Sequence, residues 1–252
     1  MKRIKHKILV LSGKGGVGKS SVAVNLAAWL VLKGKKVGLL DVDIHGPSVP
    51  KLLGLDSERL FGNGDKIVPI QHSDNLKVMS VGFMLNSEKD AVIWRGPMKH
   101  NVIQQFVKNV DWGILDYLVV DCPPGTGDEP LSVVQLIDDA DGAVVVTTPQ
   151  QIAVVDVKKC MTFCEKLNLR VLGIVENMAG FVCPHCGIRT DIFKGKGGEE
   201  LAKEFNVPFL GSIPLDPQVV TAAESGMPFV NIESDSPTLQ ALNCAFEPLL
   251  RN

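Results

Sequence analysis

The chain has 252 residues, 45% of them hydrophobic and 21% charged, so it is long enough and apolar enough to bury a substantial core. That composition excludes a chain disordered along its whole length. The formal net charge is −2, which removes the electrostatic basis of a dedicated nucleic-acid binder. No run reaches the roughly 18 uncharged apolar residues of a membrane span, so we expect neither a membrane nor a nucleic-acid partner.

The N-terminus is basic but lacks the apolar segment of an export signal. The apolar run behind it, Ile8–Leu11, is shorter than the roughly 7–15 residues that such a signal needs. Residues 1–6 are therefore interpreted as a solvated basic arm. Six cysteines are too few for a disulfide scaffold in a chain of this length. We expect reduced thiols and a cytoplasmic protein.

Short β-branched runs alternate with helical patterns, which predicts a three-layer α/β fold with a mostly parallel, twisted sheet flanked by helices. The runs are almost continuously apolar, as expected of strands covered on both faces. The predicted strands are Lys7–Leu11, Lys36–Leu40, Leu76–Val81, Tyr117–Val120, Ala143–Thr147, Val171–Val175 and Phe209–Gly211. The predicted helices are Ser20–Lys33 (closed by Gly34), Val154–Leu167 and Glu199–Phe205.

Three regions are predicted to be irregular: Gly46–Asp74, which is rich in Gly, Pro and charge, Leu85–Gly96 and Gly180–Gly198. No repeat and no linker separates two cores. Residues 1–252 are therefore interpreted as a single domain, within which residues 180–198 form a loop that carries a cysteine pair.

The first predicted strand leads into a phosphate-binding motif. The string from Gly13 to Ser20 matches G-x-x-x-x-G-K-[ST] at every fixed position, between a strand and a helix. Glycines let successive N–H groups turn toward one point, and the helix N-terminus adds its positive end. Lys19 is expected to reach the β- and γ-phosphates of ATP, and Ser20 to bind Mg²⁺; a Gly-rich turn is the alternative. The predicted nucleotide-binding residues here are Gly13, Lys14, Gly15, Gly16, Val17, Gly18, Lys19, Ser20 and Ser21.

Carboxylates follow two further strands. Asp121 stands where a Walker-B carboxylate holds Mg²⁺ through water. Asp41 and Asp43 follow another strand, and a carboxylate there would orient the attacking water or support the metal. Helix or turn caps are the alternative reading of such residues. Lys14 is a second lysine inside the loop: either it is simply exposed, or it neutralises a phosphate bound by a neighbouring subunit, as an arginine finger does.

A cysteine pair, Cys183-Pro-His-Cys186, offers two of the four ligands that a tetrahedral Zn²⁺ site or a [4Fe–4S] cluster requires. The chain has no second C-x-x-C, and His185 would ligate only with strained geometry. Two pairs from two subunits around one shared centre are therefore favoured. A redox pair, a structural turn and Zn²⁺ in the same site stay open. Cys160 and Cys164 lie on the apolar stripe of a predicted helix and are assigned to the core.

Longer strings carry a resemblance to a known family. They are Asp41–Ser48, Trp94–Met98, Trp112–Tyr117, Val120–Asp128, Glu176–Met178, Cys183–Gly187 and Gly211–Asp216. Lys14 is typical of the deviant Walker A ATPases, which include the MinD, ParA and nitrogenase iron-protein types. From about residue 8 to about residue 230, the set resembles the Mrp/Nbp-type iron–sulfur cluster carriers.

The resemblance implies a homodimeric, Mg²⁺-dependent ATPase that is slow, holds a [4Fe–4S] cluster at the dimer interface, receives it from a scaffold and transfers it to apoproteins. It implies that Lys14 acts across the dimer beside the catalytic Lys19, and that Asp43 belongs to switch I and Asp121 to switch II.

The resemblance also implies that Asn177 reads adenine, with the Pro214 segment forming the base pocket. It gives no physical role to Arg95 or His45. Some relatives carry an N-terminal ferredoxin-like cysteine set. No cysteine precedes Cys122 here, so a second stable cluster is not expected.

Two other functional classes stay open. A spatial-organising ATPase of the MinD or ParA kind, with structural zinc or no metal at the cysteine pair, needs a basic amphipathic or DNA-binding surface. The stretch Leu239–Asn252 has one basic residue, Arg251, which disfavours that class. A reductase-coupled ATPase of the nitrogenase iron-protein type would carry two widely separated cysteine ligands, unlike C-x-x-C.

Overall fold

The computed structural model describes residues 1, 3–60, 62–63, 66–84, 96–183, 186, 188–193, 197–232 and 235–251. The strands are β1 (Ile4–Ser12), β2 (Val37–Asp41), β3 (Gly62–Asn63), β4 (Lys66–Ile67), β5 (Ile70–Ser73), β6 (Leu76–Ser80), β7 (Leu115–Asp121), β8 (Gly142–Thr147), β9 (Val171–Glu176), β10 (Phe181–Val182), β11 (Arg189–Thr190) and β12 (Phe209–Ser212). The helices are α1 (Lys19–Leu32), α2 (Val49–Leu52), α3 (Gly96–Lys108), α4 (Asp128–Leu136), α5 (Gln151–Lys166), α6 (Gly197–Glu204), α7 (Pro217–Glu224) and α8 (Pro237–Phe246).

Eight strands form one sheet in the order β12-β9-β8-β1-β7-β2-β6-β5. The neighbours from β12 to β6 are parallel, and β5 runs antiparallel to β6 at the edge. Parallel neighbours bring their carboxyl ends to one edge, where ligands bind in open α/β sheets. The predicted fold class, a mostly parallel sheet flanked by helices, is confirmed.

Each face of the sheet carries its own apolar cluster. Along β1 the side chains alternate, so that Ile8 and Val10 pack on one face while Leu9 and Leu11 pack on the other. The first cluster includes apolar residues of α1 and α8, and the second includes residues of α3, α5 and α6. Cys160 and Cys164 are fully buried in the second cluster, as their helical stripe predicts.

All the predicted strands of the main sheet are present, as are the predicted helices α1, α5 and α6. Gly34 has φ +77°, the left-handed conformation expected just past the end of α1. The sequence interpretation missed α2, α3, α4, α7 and α8, although Asp216 and Ser236 cap the last two and a proline follows each cap. That cap-and-proline pattern is the signal that predicts a helix start.

The interpretation of residues 1–6 as a solvated arm is wrong for residues 4–6, because β1 begins at Ile4. Ile4 is buried and pairs with Leu115, so burial of this side chain extends the strand. Lys7 is also buried, and its N–H donates to Asp141 Oδ2 at 2.7 Å.

Two predicted irregular regions contain regular structure. Gly46–Asp74 includes α2 and the short strands β3, β4 and β5. Gly180–Gly198 includes an antiparallel ribbon of β10 and β11 and the first turn of α6. The third region, Leu85–Gly96, lies outside the described residues except for Gly96, which begins α3.

Candidate nucleotide site and cysteine hairpin

The loop between β1 and α1 has the backbone geometry of a phosphate cradle. Gly16 and Gly18 have φ +78° and +80°, which favours glycine. Gly13 packs so closely on α5 that an added Cβ would lie 2.3 Å from the carbonyl oxygen of Asp156. The loop ends at the N-terminus of α1, a 14-residue helix whose first amides and dipole favour an anion.

Lys19 lies in a buried cluster of charge at the carboxyl edge of the sheet. Its ammonium group donates to Asp121 Oδ1 and lies 3.8 Å from Asp43 Oδ2 and 3.4 Å from Ser20 Oγ. Burial lowers the pKa of Lys19, but the carboxylates of Asp121, Asp43 and Asp41 outweigh that effect and raise it above its ordinary value. Lys19 is therefore held in its charged form, and its ammonium group has three N–H donors with which to bind a phosphate beside Asp121.

Asp41 has a structural position in this cluster. Its oxygens accept hydrogen bonds from the Asp43 N–H at 3.1 Å and the Ser80 hydroxyl at 2.8 Å, and its side chain is fully buried. Burial, and then the charge of Asp121, raises the pKa of Asp41 to about 8. Asp41 thus holds the first residues after β2 in place, while Asp43 lies closer to the lysine.

The surroundings of Asp121 fit a bound Mg²⁺. Its Oδ2 atom is buried and has no hydrogen-bond partner among the described residues, so this oxygen can accept a hydrogen bond from a metal-bound water. Burial raises the pKa of Asp121, against the opposing effects of Lys19 and of a hydrogen bond from the Ser20 side chain. Ser20 and Asp121, predicted as the Mg²⁺ residues, therefore lie together.

A cavity of about 300 Å³ opens beside the end of the loop, a size within the usual range of ligand pockets, about 300–1,000 Å³. Its wall includes Gly18, Ser21, Asn177 and Pro214, and it is mainly apolar. The Asn177 side-chain amide donates to the Val17 carbonyl at 3.0 Å, so its other atom, Oδ1, remains an acceptor. The structure therefore brings the two residues of the predicted base pocket to the same cavity, next to the loop.

The cysteine pair lies outside the main sheet, on a feature that we call the cysteine hairpin: β10, β11 and the residues between them. The Cys183 N–H donates to the Ile188 carbonyl at 3.0 Å, and Cys186 is exposed. Ile188 is 65% exposed. His185 lies outside the described residues. Among the residues that the structure describes, no cluster of three or more His, Cys, Asp or Glu side chains forms a metal site.

The sequence model of the NUBPL iron-transfer P-loop NTPases (ParA) matches residues 3–250. The iron–sulfur cluster carrier protein of Methanocaldococcus jannaschii is 53% identical over 233 residues, covering 92% of this chain and 80% of that protein. The chain belongs to the NUBPL iron-transfer P-loop NTPases. The cytosolic Fe-S cluster assembly factor NUBP2 of Bos taurus is 49% identical over 251 residues, covering 98% of this chain and 93% of that protein.

A solved structure similar to this one is that of the nucleotide-binding protein of Archaeoglobus fulgidus in complex with ADP. It is 40% identical, with a TM-score of 0.80, and the match covers 95% of this chain and 92% of that one. The predicted resemblance to the Mrp/Nbp-type carriers is thus confirmed at the level of the family.

In this member of the iron-transfer NTPases, the second loop lysine, Lys14, contacts Gln150. Lys14 is half-buried, and its Nζ lies 3.3 Å from Gln150 Oε1. The predicted action of Lys14 across a dimer is taken up below as a proposal.

His45, which had no role in the sequence interpretation, joins a charged cluster that sequence reasoning missed. Its Nε2 lies 3.0 Å from Glu129 Oε1 and 2.9 Å from Lys99 Nζ, and Lys99 and Glu129 pair at 2.7 Å. Burial raises the pKa of Glu129, but hydrogen bonds from Lys99 and His45 outweigh it and lower that pKa. The cluster connects the segment after β2 with α3 and α4. Arg95 lies outside the described residues.

Proposed function

We propose that this protein is an ATP-binding and ATP-hydrolysing carrier that holds a [4Fe–4S] cluster between two subunits and transfers it to apoproteins. The cysteine hairpin carries the proposal: it presents Cys183 and Cys186 at the surface, and the described part of one chain offers no third ligand. A cluster normally takes four protein thiolates, so two hairpins together supply the set. The similarity to an iron–sulfur cluster carrier protein and to a cytosolic Fe-S cluster assembly factor supports this cargo and a cytosolic location.

For hydrolysis, we propose that the amides of residues 13–18 and the Lys19 ammonium bind the phosphates, with the base in the cavity beside Asn177 and Pro214. Ser20 and Asp121 would hold Mg²⁺, which supplies charge neutralisation at the β- and γ-phosphate oxygens when bound. Asp43, next to Lys19, orients the attacking water. Lys14 of the partner subunit neutralises charge on the phosphoryl group that is transferred.

The alternative of a MinD- or ParA-like organising ATPase finds little support in the C-terminal segment. In α8, Leu242 and Phe246 are buried in the core, where Phe246 packs edge-on against Trp29. The exposed positions of α8 are Pro237, Gln240, Asn243 and Cys244, which carry no basic charge. None of the helices in the described part of the chain has the length and hydropathy to cross a bilayer.

The test is anaerobic reconstitution followed by the optical spectrum, iron and sulfide analysis, and transfer to an apoprotein that requires a [4Fe–4S] cluster. We expect Cys183→Ser and Cys186→Ser each to abolish the charge-transfer absorption and the transfer. Cys244→Ser is the matched control, because Cys244 is also an exposed cysteine but lies on α8. Full cluster retention in either hairpin variant, or a stoichiometric zinc content with no iron uptake, would contradict the proposal.

A further inference from the structure

The wall of the base cavity and the root of the cysteine hairpin are the same two pieces of chain. Asn177 and Met178 line the cavity, and so does the segment Ile213–Asp216. These two pieces are joined by backbone hydrogen bonds just beyond the cavity. The Ala179 N–H donates to the Ile213 carbonyl at 2.8 Å, and the Leu215 N–H donates to the Gly180 carbonyl at 2.8 Å. A bridge between Phe181 and Leu215 then continues into β10.

The two ends of the hairpin excursion are attached to the ends of the neighbouring strands β8 and β9. At the start, the Asn177 N–H donates to the Thr147 carbonyl at 2.8 Å. At the return, the Gly198 N–H donates to Glu176 Oε1 at 2.8 Å. Glu176 is buried and is the last residue of β9. The hairpin therefore leaves and rejoins the fold at the strand end that borders the cavity.

Met178, at the start of this excursion, has a strained backbone. Its φ is +58°, and the other non-glycine residues with positive φ in the described part of the chain are Asp139, Asn168 and Asn206. Asp and Asn tolerate the left-handed region, whereas Met pays a steric cost there. Such strain persists where neighbouring contacts impose it. Here the Asn177 and Ala179 hydrogen bonds fix both sides of Met178, and its side chain lines the cavity.

The phosphate loop contacts the hairpin root and the cavity through Val17 and Gly18. Val17 accepts the Asn177 amide hydrogen bond, and Gly18 borders the cavity. A phosphate seated in the loop would leave the cavity between Met178 and Pro214 unfilled, because the cavity lies beyond the loop. A base, in contrast, would contact both pieces of chain that root the hairpin.

We propose that the base of a bound nucleotide, rather than its phosphates, orders the cysteine hairpin, because it fills the cavity between the two segments that form the hairpin root. The inference deepens the proposed function and rests on the assignment of the cavity to the base. Its consequence is that ADP and ATP, which share a base, hold the hairpin root equally. Loss of the whole nucleotide releases it and changes the exposure of the cluster ligands.

Hydrogen–deuterium exchange on the full, cluster-free chain under reducing conditions tests this, comparing Mg-ADP with Mg-pyrophosphate. With ADP at about a hundred times its Kd, openings that expel the base become about a hundredfold rarer. We therefore expect the amides of Ala179, Cys183 and Leu215 to exchange at least about tenfold more slowly with ADP. Saturating pyrophosphate should protect residues 15–20 and leave these three amides unchanged. Equal protection by pyrophosphate, or no protection of the hairpin by ADP, would overturn the inference.

A pair of variants separates the hairpin root from the cavity. Leu215→Pro removes the N–H that donates to Gly180, whereas Leu215→Ala shortens the side chain and keeps that N–H. At saturating ADP, judged by protection of residues 15–20, Leu215→Pro should lose the protection at Ala179 and Cys183, and Leu215→Ala should keep it. Retained protection in a folded Leu215→Pro variant would contradict the proposed route. Because these readouts contain no iron, failure of cluster binding leaves them unchanged and counts against the proposed function alone.

Discussion

Asp121 is buried at the end of the central strand β7, and Lys19 is almost fully buried beside it at the start of α1, whereas Cys186 is exposed on a two-stranded ribbon outside the main sheet. The register places Asp41 directly beside Asp121, so that neighbouring strands fix the spacing of the carboxylates. The hairpin is positioned by a few backbone hydrogen bonds at its root. The buried charges of the nucleotide edge (Lys19, Asp41, Asp43 and Asp121) thus come from one chain, while we propose that the cysteine hairpin supplies half of a site that two chains share.

Phosphate binding and cluster transfer place different demands on the structure around them, which explains why one site is buried and the other is exposed. Phosphate binding needs preorganised donors in a water-poor environment, which the end of a buried sheet provides. A carrier must release its cluster, and an exposed, bridging cluster is lost more readily than one buried in a single chain. The rigid edge and the exposed ribbon therefore suit two steps of one cycle.

The largest expected effect is that of Lys19→Ala, which should reduce both hydrolysis and stability, whereas a change in the cysteine hairpin should leave stability almost unchanged. Lys19→Ala should reduce hydrolysis about a thousandfold. It should also lower the unfolding free energy by about 3–5 kcal/mol, because Asp121 would be left as an unpaired buried carboxylate. Asp121→Asn in the Lys19→Ala background should restore much of the stability and none of the activity. Cys186→Ser should change the unfolding free energy by less than about 0.5 kcal/mol. Denaturant titrations and phosphate release measure both quantities. A Lys19→Ala variant as stable as the parent would contradict the claim that the ion pair of Lys19 with Asp121 stabilises the fold.

Subunit mixing tests whether the nucleotide edge is complete for catalysis as well as for binding. Lys14→Ala and Lys19→Ala homodimers should each be inactive. A mixed dimer should recover about half of the parent activity if Lys14 acts across the interface, because one of its two sites then contains both intact lysines. Phosphate release from purified, differently tagged heterodimers gives the answer. Mixed dimers that stay inactive would place Lys14 in its own subunit's site.

Two glycines of the loop provide a matched comparison within the nucleotide edge. Gly18 has φ +80°, and an added Cβ would lie 2.2 Å from Asn177 Nδ2, whereas a Cβ on Gly15 would meet nothing within 4 Å. Gly18→Ala should lower the unfolding free energy of the nucleotide-free protein by about 1–3 kcal/mol. Gly15→Ala should leave it almost unchanged. Equal stability of the two variants in thermal unfolding would contradict the assigned contact between the loop and Asn177.

A further prediction concerns the pH dependence of stability. The pKa of Asp41 is about 8 in the folded chain, against about 3.9 when unfolded. Between these values the folded chain keeps a proton that the unfolded chain has released, so this group makes the parent less stable as pH rises. Asp41→Asn removes that proton equilibrium and still offers an acceptor to the Asp43 N–H. The variant should therefore gain stability relative to the parent between about pH 5 and about pH 8. A constant difference across this window would show that Asp41 is ionised throughout.

The local parts of the fold and site could be predicted from the sequence. The loop from Gly13 to Ser20 is one continuous sequence motif. Strands such as β7 and β8 are buried on both faces, so nearly all their residues are apolar and the sequence identifies them directly. Asp121 was found for the same reason, since it directly ends such a run.

The parts that depend on distant contacts could not be predicted. The structural position of Asp41 depends on Ser80 from a neighbouring strand, and the Lys99–Glu129 pair depends on how α3 and α4 pack. The attachment of the hairpin depends on pairing between residues 179–181 and 213–215, which are more than 30 positions apart. No periodicity within either segment indicates that pairing.

The central claim, that one hairpin is half of a cluster site, is tested most directly by native mass spectrometry of the anaerobically reconstituted protein, combined with iron and sulfide analysis. The account predicts a dimer carrying one [4Fe–4S] cluster, about four irons for two chains, and cluster-free monomers. A monomer that carries four irons, or a dimer that carries eight, would contradict it.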